Sequence, residues 1–214
     1  MKDAPSPVAR RPSVQKVTGA VAAATVTAVV SALVGRSSIS AGEERVFRLL
    51  NDAPAAFWPL LWPPMQLGNL AAPAAVGTFV AVRTRRWRPV LAVLGAGYAA
   101  WAASQVLKDL VRRERPAVLL ADVMLREPAE GLGFVSGHAA ISAAIAAGLW
   151  PQLPPRGRFA ASAVAGLVGI GRIYSGAHLP LDVLGGQAIG VLTGLGVATV
   201  IGAPATHIGP ASER

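Results

Sequence analysis

Long segments without a charged residue constrain this chain more than any other feature. Residues 17–35, for instance, are nineteen consecutive uncharged residues, enough for a helix to cross a bilayer. Over the whole chain 53% of the residues are hydrophobic and 14% are charged, whereas a soluble domain carries about 25% charged residues. The sequence therefore predicts a membrane protein rather than a soluble protein with a large core.

Six such segments predict an all-α fold, a bundle of six transmembrane helices within residues 17–203. They are residues 17–35, 65–82, 89–107, 136–153, 159–171 and 183–203. A cleaved signal peptide is the alternative for the first segment, but that segment is too long, and Arg36 follows it without a typical cleavage site. The fifth segment has only thirteen uncharged residues, so hydropathy alone supports it weakly.

Three local patterns add predictions within and around these helices. Residues 37–52 have the charge spacing of a short helix at the membrane interface. Residues 117–135 are interpreted as a flexible cover near a pocket, or else as a simple loop. In the sixth segment Gly186, Gly190 and Gly194 recur every four residues, which predicts close packing of that helix on a neighbour.

The charged residues divide unevenly between the two sides of the predicted bundle. The side with both termini has eleven Lys and Arg against two acidic residues, and the other side has nine against nine. Because Lys- and Arg-rich loops stay in the cytoplasm, residues 1–16 are predicted to be a disordered cytoplasmic arm and residues 204–214 a polar cytoplasmic tail. On the opposite side, Arg112 and Arg113 are interpreted as cations that extend from the membrane interface to water. Topology thus explains the net charge of +9, and no nucleic-acid partner is expected.

Arg172, His178 and Asp182 form the most informative polar group. If the chain is helical from His178 onward, Asp182 lies one turn later on the same face. Such a carboxylate accepts the proton of one imidazole nitrogen and leaves the other nitrogen nucleophilic, while a nearby arginine suits phosphate oxygens. The alternative is a loop between two membrane helices whose charges are simply solvated.

Two further segments favour a phosphate site. Lys108 and Arg115 are seven residues apart, or two helical turns along nearly one face. Ser136, Gly137 and His138 stand where an apolar helix begins, and the free N–H groups at a helix start bind anions. Cations, neutral donors, histidines and a carboxylate are the groups that a phosphate pocket with an acid and a nucleophile requires.

These residues resemble the three sequence blocks of the type 2 phosphatidic acid phosphatase family (PAP2). The matching residues are Lys108, Arg115 and Pro116 for K-x6-R-P, Ser136, Gly137 and His138 for P-S-G-H, and Arg172, His178 and Asp182 for S-R-x5-H-x3-D. Val135 stands where the second block has proline, and Gly171 stands where the third block has serine. The second replacement removes a hydroxyl group that could contact phosphate.

The resemblance implies a membrane phosphatase with a haloperoxidase-like helical core. The charge asymmetry predicts that all three blocks, and with them the active site, lie at the extracytoplasmic ends of the helices in the plasma membrane. The resemblance also implies that His178 attacks phosphorus to form a phosphohistidine, that Asp182 orients His178, and that His138 protonates the leaving group. Neither a metal ion nor another cofactor is implied. The residues implied to hold the phosphate oxygens are Lys108, Arg115, Ser136, Gly137 and Arg172.

The implied substrate is a lipid phosphate at the bilayer surface, and the sequence does not select one. Prenyl pyrophosphate, phosphatidic acid, phosphatidylglycerol phosphate and prenyl-linked sugar phosphates are all compatible. The alternatives are a non-catalytic protein that binds lipid phosphates, which would be expected to have lost His178, and a lipid-flipping transporter. A transporter would be expected to carry polar residues deep in its spans, where this chain has few.

Overall fold

A computed structural model describes residues 38–202 of the chain. This part consists of helices joined by turns, which confirms the predicted all-α fold there. The predicted arm, first span and tail (1–16, 17–35 and 204–214) lie outside the described residues. The helices are α1 (Ala41–Asn51), α2 (Trp58–Met65), α3 (Ala72–Thr84), α4 (Trp87–Val111), α5 (Pro116–Leu119), α6 (Gly137–Leu149), α7 (Pro155–Tyr174) and α8 (Pro180–Ile201), with 3₁₀ turns at Ala55–Phe57, Gln66–Gly68 and Trp150–Gln152.

Helix α1 is the helix that was predicted at 37–52, but one of its faces is buried in the protein. Its start is capped by Ser40, whose hydroxyl oxygen accepts a hydrogen bond from the backbone N–H of Glu43 at 3.2 Å. Glu43, Phe47 and Asn51 are buried and follow one another at four-residue intervals, so they lie along one face. That face packs against α7 and α8, while Leu49 on the other side is 75% exposed.

Helices α2 and α3 form a bent pair where a single second span was predicted at 65–82. The segments Ala55–Gly68 and Ala72–Thr84 meet at an angle of 80°. Asn69 between them is extended, with φ −76° and ψ 169°, and its side-chain oxygen accepts a hydrogen bond from Ala71 N–H at 2.9 Å. This local hydrogen bond satisfies a backbone donor at the bend, as asparagine commonly does in turns.

Helix α6 lies at the centre of the bundle and packs against α4 and α8. Every residue from 139 to 149 is buried. A Cβ atom added at Gly186, Gly190 or Gly194 of α8 would lie 2.4, 2.3 or 2.4 Å from a backbone carbonyl oxygen of the segment 136–144. The glycines therefore let α8 approach α6 closely, and the predicted close packing of the sixth segment is confirmed.

Two segments of the described residues are long and apolar enough to cross a membrane, Trp87–Leu119 and Pro180–Ile201. The bent pair makes a third if it counts as one span. Helix α7 is twenty residues long, longer than the thirteen uncharged residues predicted at 159–171, because three arginines lie near its ends. The structure supports a helical membrane protein, and the number of six spans stays a prediction.

Candidate active site

The first sequence block lies where α4 ends and the chain turns. Arg112 follows α4 in the left-handed conformation (φ 52°) and stops the helix. Lys108 and Arg115 therefore do not share a helix face, and that prediction is wrong. Arg115 instead precedes α5, and its guanidinium donates to the carbonyl oxygens of Gly131 at 3.0 Å and Ala177 at 2.8 Å. These bonds hold Arg115 beside His178, the residue that follows Ala177.

The second block is the N-terminus of α6, as predicted. Ser136 is the N-cap, and its hydroxyl oxygen accepts a hydrogen bond from Ala139 N–H at 3.5 Å. The backbone N–H of Ser136 donates to the carbonyl oxygen of Asp182 at 2.9 Å. This bond joins the start of α6 to the first turn of α8. Ser136 is fully buried and His138 is partly buried.

The third block is a tight connection between α7 and α8. Arg172 lies in the last turn of α7 and is 6% exposed. The chain then turns at Gly176, which has φ +77°, and the backbone N–H of His178 donates to Arg172 O at 3.2 Å. Glycine suits this position because a Cβ atom is disfavoured at positive φ.

Helix α8 begins at Pro180, so the chain is not helical at His178 and the condition for placing Asp182 one turn later on the same face is not met. Leu179 is the N-cap residue, and its backbone N–H donates to Asp182 Oδ2 at 2.9 Å. The side chain of Asp182 therefore points back along the chain toward His178, and its Oδ2 lies 3.6 Å from His178 Nδ1. Both side chains are buried. A helix cap thus brings the two residues together as neighbours, but the predicted hydrogen bond between them is not formed, because His178 Nδ1 has no hydrogen-bond partner among residues 38–202.

Ionisable residues from all three blocks lie around His178. Burial lowers the pKa of His178 well below its usual value, and the charges of Arg172, Arg115, Lys108 and His138 lower it further. Residues from all three blocks thus lie close enough to act on one imidazole. At neutral pH the ring is uncharged, which is the form that a nucleophilic histidine needs.

Arg113 is a residue of this site that the sequence analysis misinterpreted. It was expected to extend to water, but its side chain is fully buried. Its NH1 group donates to Asp182 Oδ1 and to Glu43 Oε1, both at 3.0 Å, and its NH2 group donates to Glu43 Oε2 at 2.6 Å. A sequence shows no local mark of such contacts, because Glu43 is seventy residues away. Arg112 next to it is exposed, as predicted.

The connection 117–135 lies beside the site and is held by hydrogen bonds. Asn51 of α1 donates to Met124 O at 2.9 Å and accepts from Met124 N–H at 3.0 Å. Arg126 donates to the carbonyl oxygen of Ala53 at 3.0 Å, and its guanidinium lies 3.9 Å from the ring centre of Tyr174. Next to it, the carboxylate of Glu127 forms an ion pair with Arg172. The connection is therefore held beside the site by contacts with α1, α7 and the turn that follows α1.

The two departures from the family pattern have different surroundings. A Cβ atom at Gly171 would lie 2.5 Å from Cγ and Sδ of Met65, so glycine permits α7 to pack on α2. Val135 is fully buried in an apolar cluster with Val111 and Phe134. Neither position contributes a polar group to the site. Within residues 38–202, no group of three or more His, Asp or Glu side chains is arranged to hold a metal ion.

Known proteins share this sequence pattern and this arrangement of helices. A family model described as the PAP2 superfamily matches residues 85–204, more than half of the chain. The chain belongs to the PAP2 superfamily. The match includes all three blocks, so the residues that converge on His178 are the ones in the PAP2 segment. No curated protein sequence matches the chain.

Two solved structures have a similar PAP2 fold. The crystal structure of LpxE from Aquifex aeolicus is 29% identical, has a TM-score of 0.67, and its match covers 72% of this chain and 93% of LpxE. The crystal structure of a transmembrane PAP2-type phosphatidylglycerolphosphate phosphatase from Bacillus subtilis is 20% identical and also has a TM-score of 0.67. Its match covers 86% of this chain and 94% of the Bacillus subtilis chain. At that identity the second likeness shows the fold alone. The family and the apolar helices together support a PAP2 phosphatase of the membrane.

Proposed function

We propose that this protein hydrolyses the phosphate group of a lipid through a phosphohistidine formed on His178, without a metal ion. One observation carries the proposal. An uncharged, buried imidazole lies 3.6 Å from a buried carboxylate and within the field of Lys108, Arg115 and Arg172. This arrangement supplies a nucleophile, a group that orients it, and positive charge for the phosphate oxygens.

The proposed phosphate site uses positive charge in place of a metal ion. Lys108, Arg115 and Arg172 are the cations, and the Ser136 hydroxyl and Gly137 N–H are neutral donors at the start of α6. Phosphoryl transfer depends mainly on positioning and on stabilising the charge spread over the equatorial oxygens. Fixed donors and cations in a water-poor site provide that stabilisation.

In the proposed reaction the two histidines have separate roles. His178 Nε2 forms a bond to phosphorus while the bond from phosphorus to the lipid oxygen breaks, and His138 donates its proton to that oxygen. Asp182, next to Nδ1, stabilises the positive charge that the imidazole gains. Water then attacks the phosphohistidine, His138 takes a proton from this water, and inorganic phosphate leaves with His178 restored.

A lipid substrate and an outward-facing site are parts of the same proposal. The candidate residues lie at helix ends, where a phosphate headgroup would meet the pocket while its acyl or prenyl chain lies between helices. The distribution of Lys and Arg supports six spans, cytoplasmic termini and an extracytoplasmic site in the plasma membrane.

The test is release of inorganic phosphate by the purified full-length protein in detergent. The panel contains a prenyl pyrophosphate, phosphatidic acid, phosphatidylglycerol phosphate and a prenyl-linked sugar phosphate, each with and without a chelator. We expect hydrolysis of at least one lipid, undiminished by the chelator and inhibited by vanadate. Activity that disappears in the chelator and returns with Mg²⁺ would contradict the metal-free mechanism. Binding of a lipid phosphate without hydrolysis would favour the non-catalytic alternative.

A further inference from the structure

Arg113 is buried between two carboxylates, Glu43 of α1 and Asp182 of α8. Its NH1 group donates to both, at 3.0 Å each, and its NH2 group donates to Glu43 at 2.6 Å. The side chain of Arg113 is fully buried, as is that of Asp182, and Glu43 is 7% exposed. Arg113 stands at an unspecified position of the first sequence block, and Glu43 lies outside all three blocks. Arg113 contacts Asp182, which lies beside the proposed nucleophile, and Glu43 contacts Arg113.

The hydrogen bonds of this group restrict the orientation of the Asp182 carboxylate. Oδ1 accepts from Arg113, and Oδ2 accepts from Leu179 N–H at 2.9 Å. With both oxygens held, Oδ2 is fixed on the side that faces His178 Nδ1. Glu43 Oε1 also accepts from Leu181 N–H at 3.1 Å. The pair therefore holds the first turn of α8 at its backbone as well as at the Asp182 side chain.

The charges of the group explain why a second carboxylate is useful. Glu43, Arg113 and Asp182 together carry a net charge of −1. Because Arg113 divides its hydrogen bonds between two carboxylates, it does not neutralise Asp182 by itself. The remaining negative charge is next to His178, whose cationic neighbours Arg172, Arg115 and Lys108 disfavour a positive imidazole. A histidine that attacks phosphorus becomes positive, so it needs this negative charge.

We propose that Arg113 and Glu43 are positioning residues of the active site. Arg113 orients the Asp182 carboxylate, and Glu43 shares the positive charge of Arg113, so that the negative charge of Asp182 remains available to His178. This inference rests on the function proposed above, in which His178 is the nucleophile. The competing explanation is that the pair only fastens α1 to the bundle. The two explanations differ in what happens to turnover when α1 stays attached but the charge distribution changes.

The experiment compares Glu43→Gln and Arg113→Lys with two matched controls in the full-length protein. Glu43→Gln keeps the side-chain shape and removes the charge, whereas Arg113→Lys keeps the charge and loses the planar fork that reaches both carboxylates. Arg112→Lys makes the same change at the neighbouring exposed arginine. Asn51→Ala weakens the attachment of α1 at its other end, where Asn51 bonds to Met124 and Tyr174.

We expect both test variants to lower kcat about 10- to 100-fold, by analogy with the partners that orient metal ligands, whose replacement costs that much activity. KM should change little, because the cations that hold phosphate are untouched. Glu43→Gln should also move the acid limb of the kcat profile to lower pH, since loss of a nearby negative charge lowers the pKa of His178. Phosphatidic acid and nitrophenyl phosphate serve as probes, and thermal unfolding is measured for every variant.

The possible results separate this inference from the proposed function. Test variants that match Asn51→Ala in kcat and in pH profile, or that change only KM, would overturn the positioning role. If Arg113→Lys does not fold, Glu43→Gln decides the question alone. A wild-type protein that hydrolyses no probe and no lipid of the panel would instead overturn the proposed function, and this inference with it. An active wild type with an inactive His178→Ala variant would support the proposed function, and the results for Glu43→Gln and Arg113→Lys would then decide the positioning role alone.

Discussion

The Glu127 carboxylate forms an ion pair with the Arg172 guanidinium. In the proposed mechanism that guanidinium binds the substrate phosphate, so the carboxylate uses some of the N–H groups that the phosphate would need. Glu127 Oε1 also accepts a hydrogen bond from the Ser175 hydroxyl at 3.4 Å. The side chain of Glu127 is 21% exposed, against 7% for Arg172. A phosphate group that binds to Arg172 must therefore compete with a carboxylate carried by the connection 117–135.

This competition predicts that Glu127→Gln binds anions more tightly than the wild type. The gain should be up to about fivefold in KM and in vanadate inhibition, because a partly exposed ion pair contributes at most about 1 kcal/mol. Glu130→Gln is the control, since Glu130 is an exposed carboxylate of the same connection. Steady-state kinetics in detergent measures both. An unchanged or weaker affinity for vanadate in Glu127→Gln would mean that Glu127 does not compete with phosphate.

Replacing each histidine should separate the nucleophile from the acid. His178→Ala is expected to abolish turnover and the covalent intermediate with every substrate. His138→Ala should be impaired more with a lipid monophosphate than with nitrophenyl phosphate, because an alkoxide leaving group needs a proton and a nitrophenolate does not. The difference should fall within the roughly 10²–10⁴-fold range of general-acid effects. Equal penalties for the two substrates would remove the leaving-group role of His138, and phosphohistidine in His178→Ala would reassign the nucleophile.

The low pKa of His178 predicts how activity depends on pH. Burial and the positive charges of Arg172, Arg115 and Lys108 lower this pKa well below 6.5. His178 thus stays uncharged and nucleophilic as the pH falls through that value. The acid limb of the kcat/KM profile, which reports the free enzyme, should therefore lie below pH 6.5. An acid limb above pH 6.5 would contradict the proposed environment of His178.

The same pKa predicts a change in stability with pH. The unfolded chain binds a proton at His178 near its usual pKa of about 6.5, whereas the folded protein does not. The contribution of His178 to the free energy of unfolding is therefore complete above that pH and is lost as the pH falls toward the folded-state pKa. Thermal unfolding in detergent should show a smaller decline from pH 7 to pH 5 in His178→Ala than in the wild type. His207→Ala, in the C-terminal tail, should decline as the wild type does.

The proposed topology predicts which side of the membrane two exposed prolines face. Pro128 in the connection and Pro155 at the start of α7 are both exposed, and the chain has no cysteine. In intact cells, a membrane-impermeant thiol reagent should label Pro128→Cys and leave Pro155→Cys unlabelled. The reverse pattern would place the candidate site in the cytoplasm. Labelling of both would show that the chain between them does not cross the membrane.

The contact between α8 and α6 predicts a stability difference between two glycines of the same helix. A Cβ atom at Gly190 would lie 2.3 Å from the backbone oxygen of Ala140, whereas at Gly196 it would meet nothing within 4 Å. Gly190→Ala should lower the free energy of unfolding by about 1–3 kcal/mol, the cost of overpacking a core. Gly196→Ala should be neutral or slightly stabilising. Equal unfolding temperatures for the two variants would contradict the packing described here.

The sequence alone predicts those features of this protein that depend on neighbouring residues. Uncharged segments mark the helices because an apolar stretch of sufficient length is a local property, and the glycine repeat of α8 marks a close contact for the same reason. The three blocks predict the family, which the family model confirms, and they predict the phosphate-binding chemistry that is proposed for the residues around His178. Their spacing can be recognised because each block is a short continuous stretch of sequence.

The tertiary structure decided how these pieces meet, since that depends on contacts between distant residues. Arg112 adopts a left-handed conformation and ends α4, although no glycine or proline at that position marks the end of a helix. Lys108 and Arg115 therefore lie on separate elements of the site. Asp182 faces His178 because it caps α8, and Arg113 is buried because α1 brings Glu43 to it from seventy residues away. A buried charge requires a partner, but the sequence does not state which distant residue supplies it. Only the packing of α1 on α8 determines that.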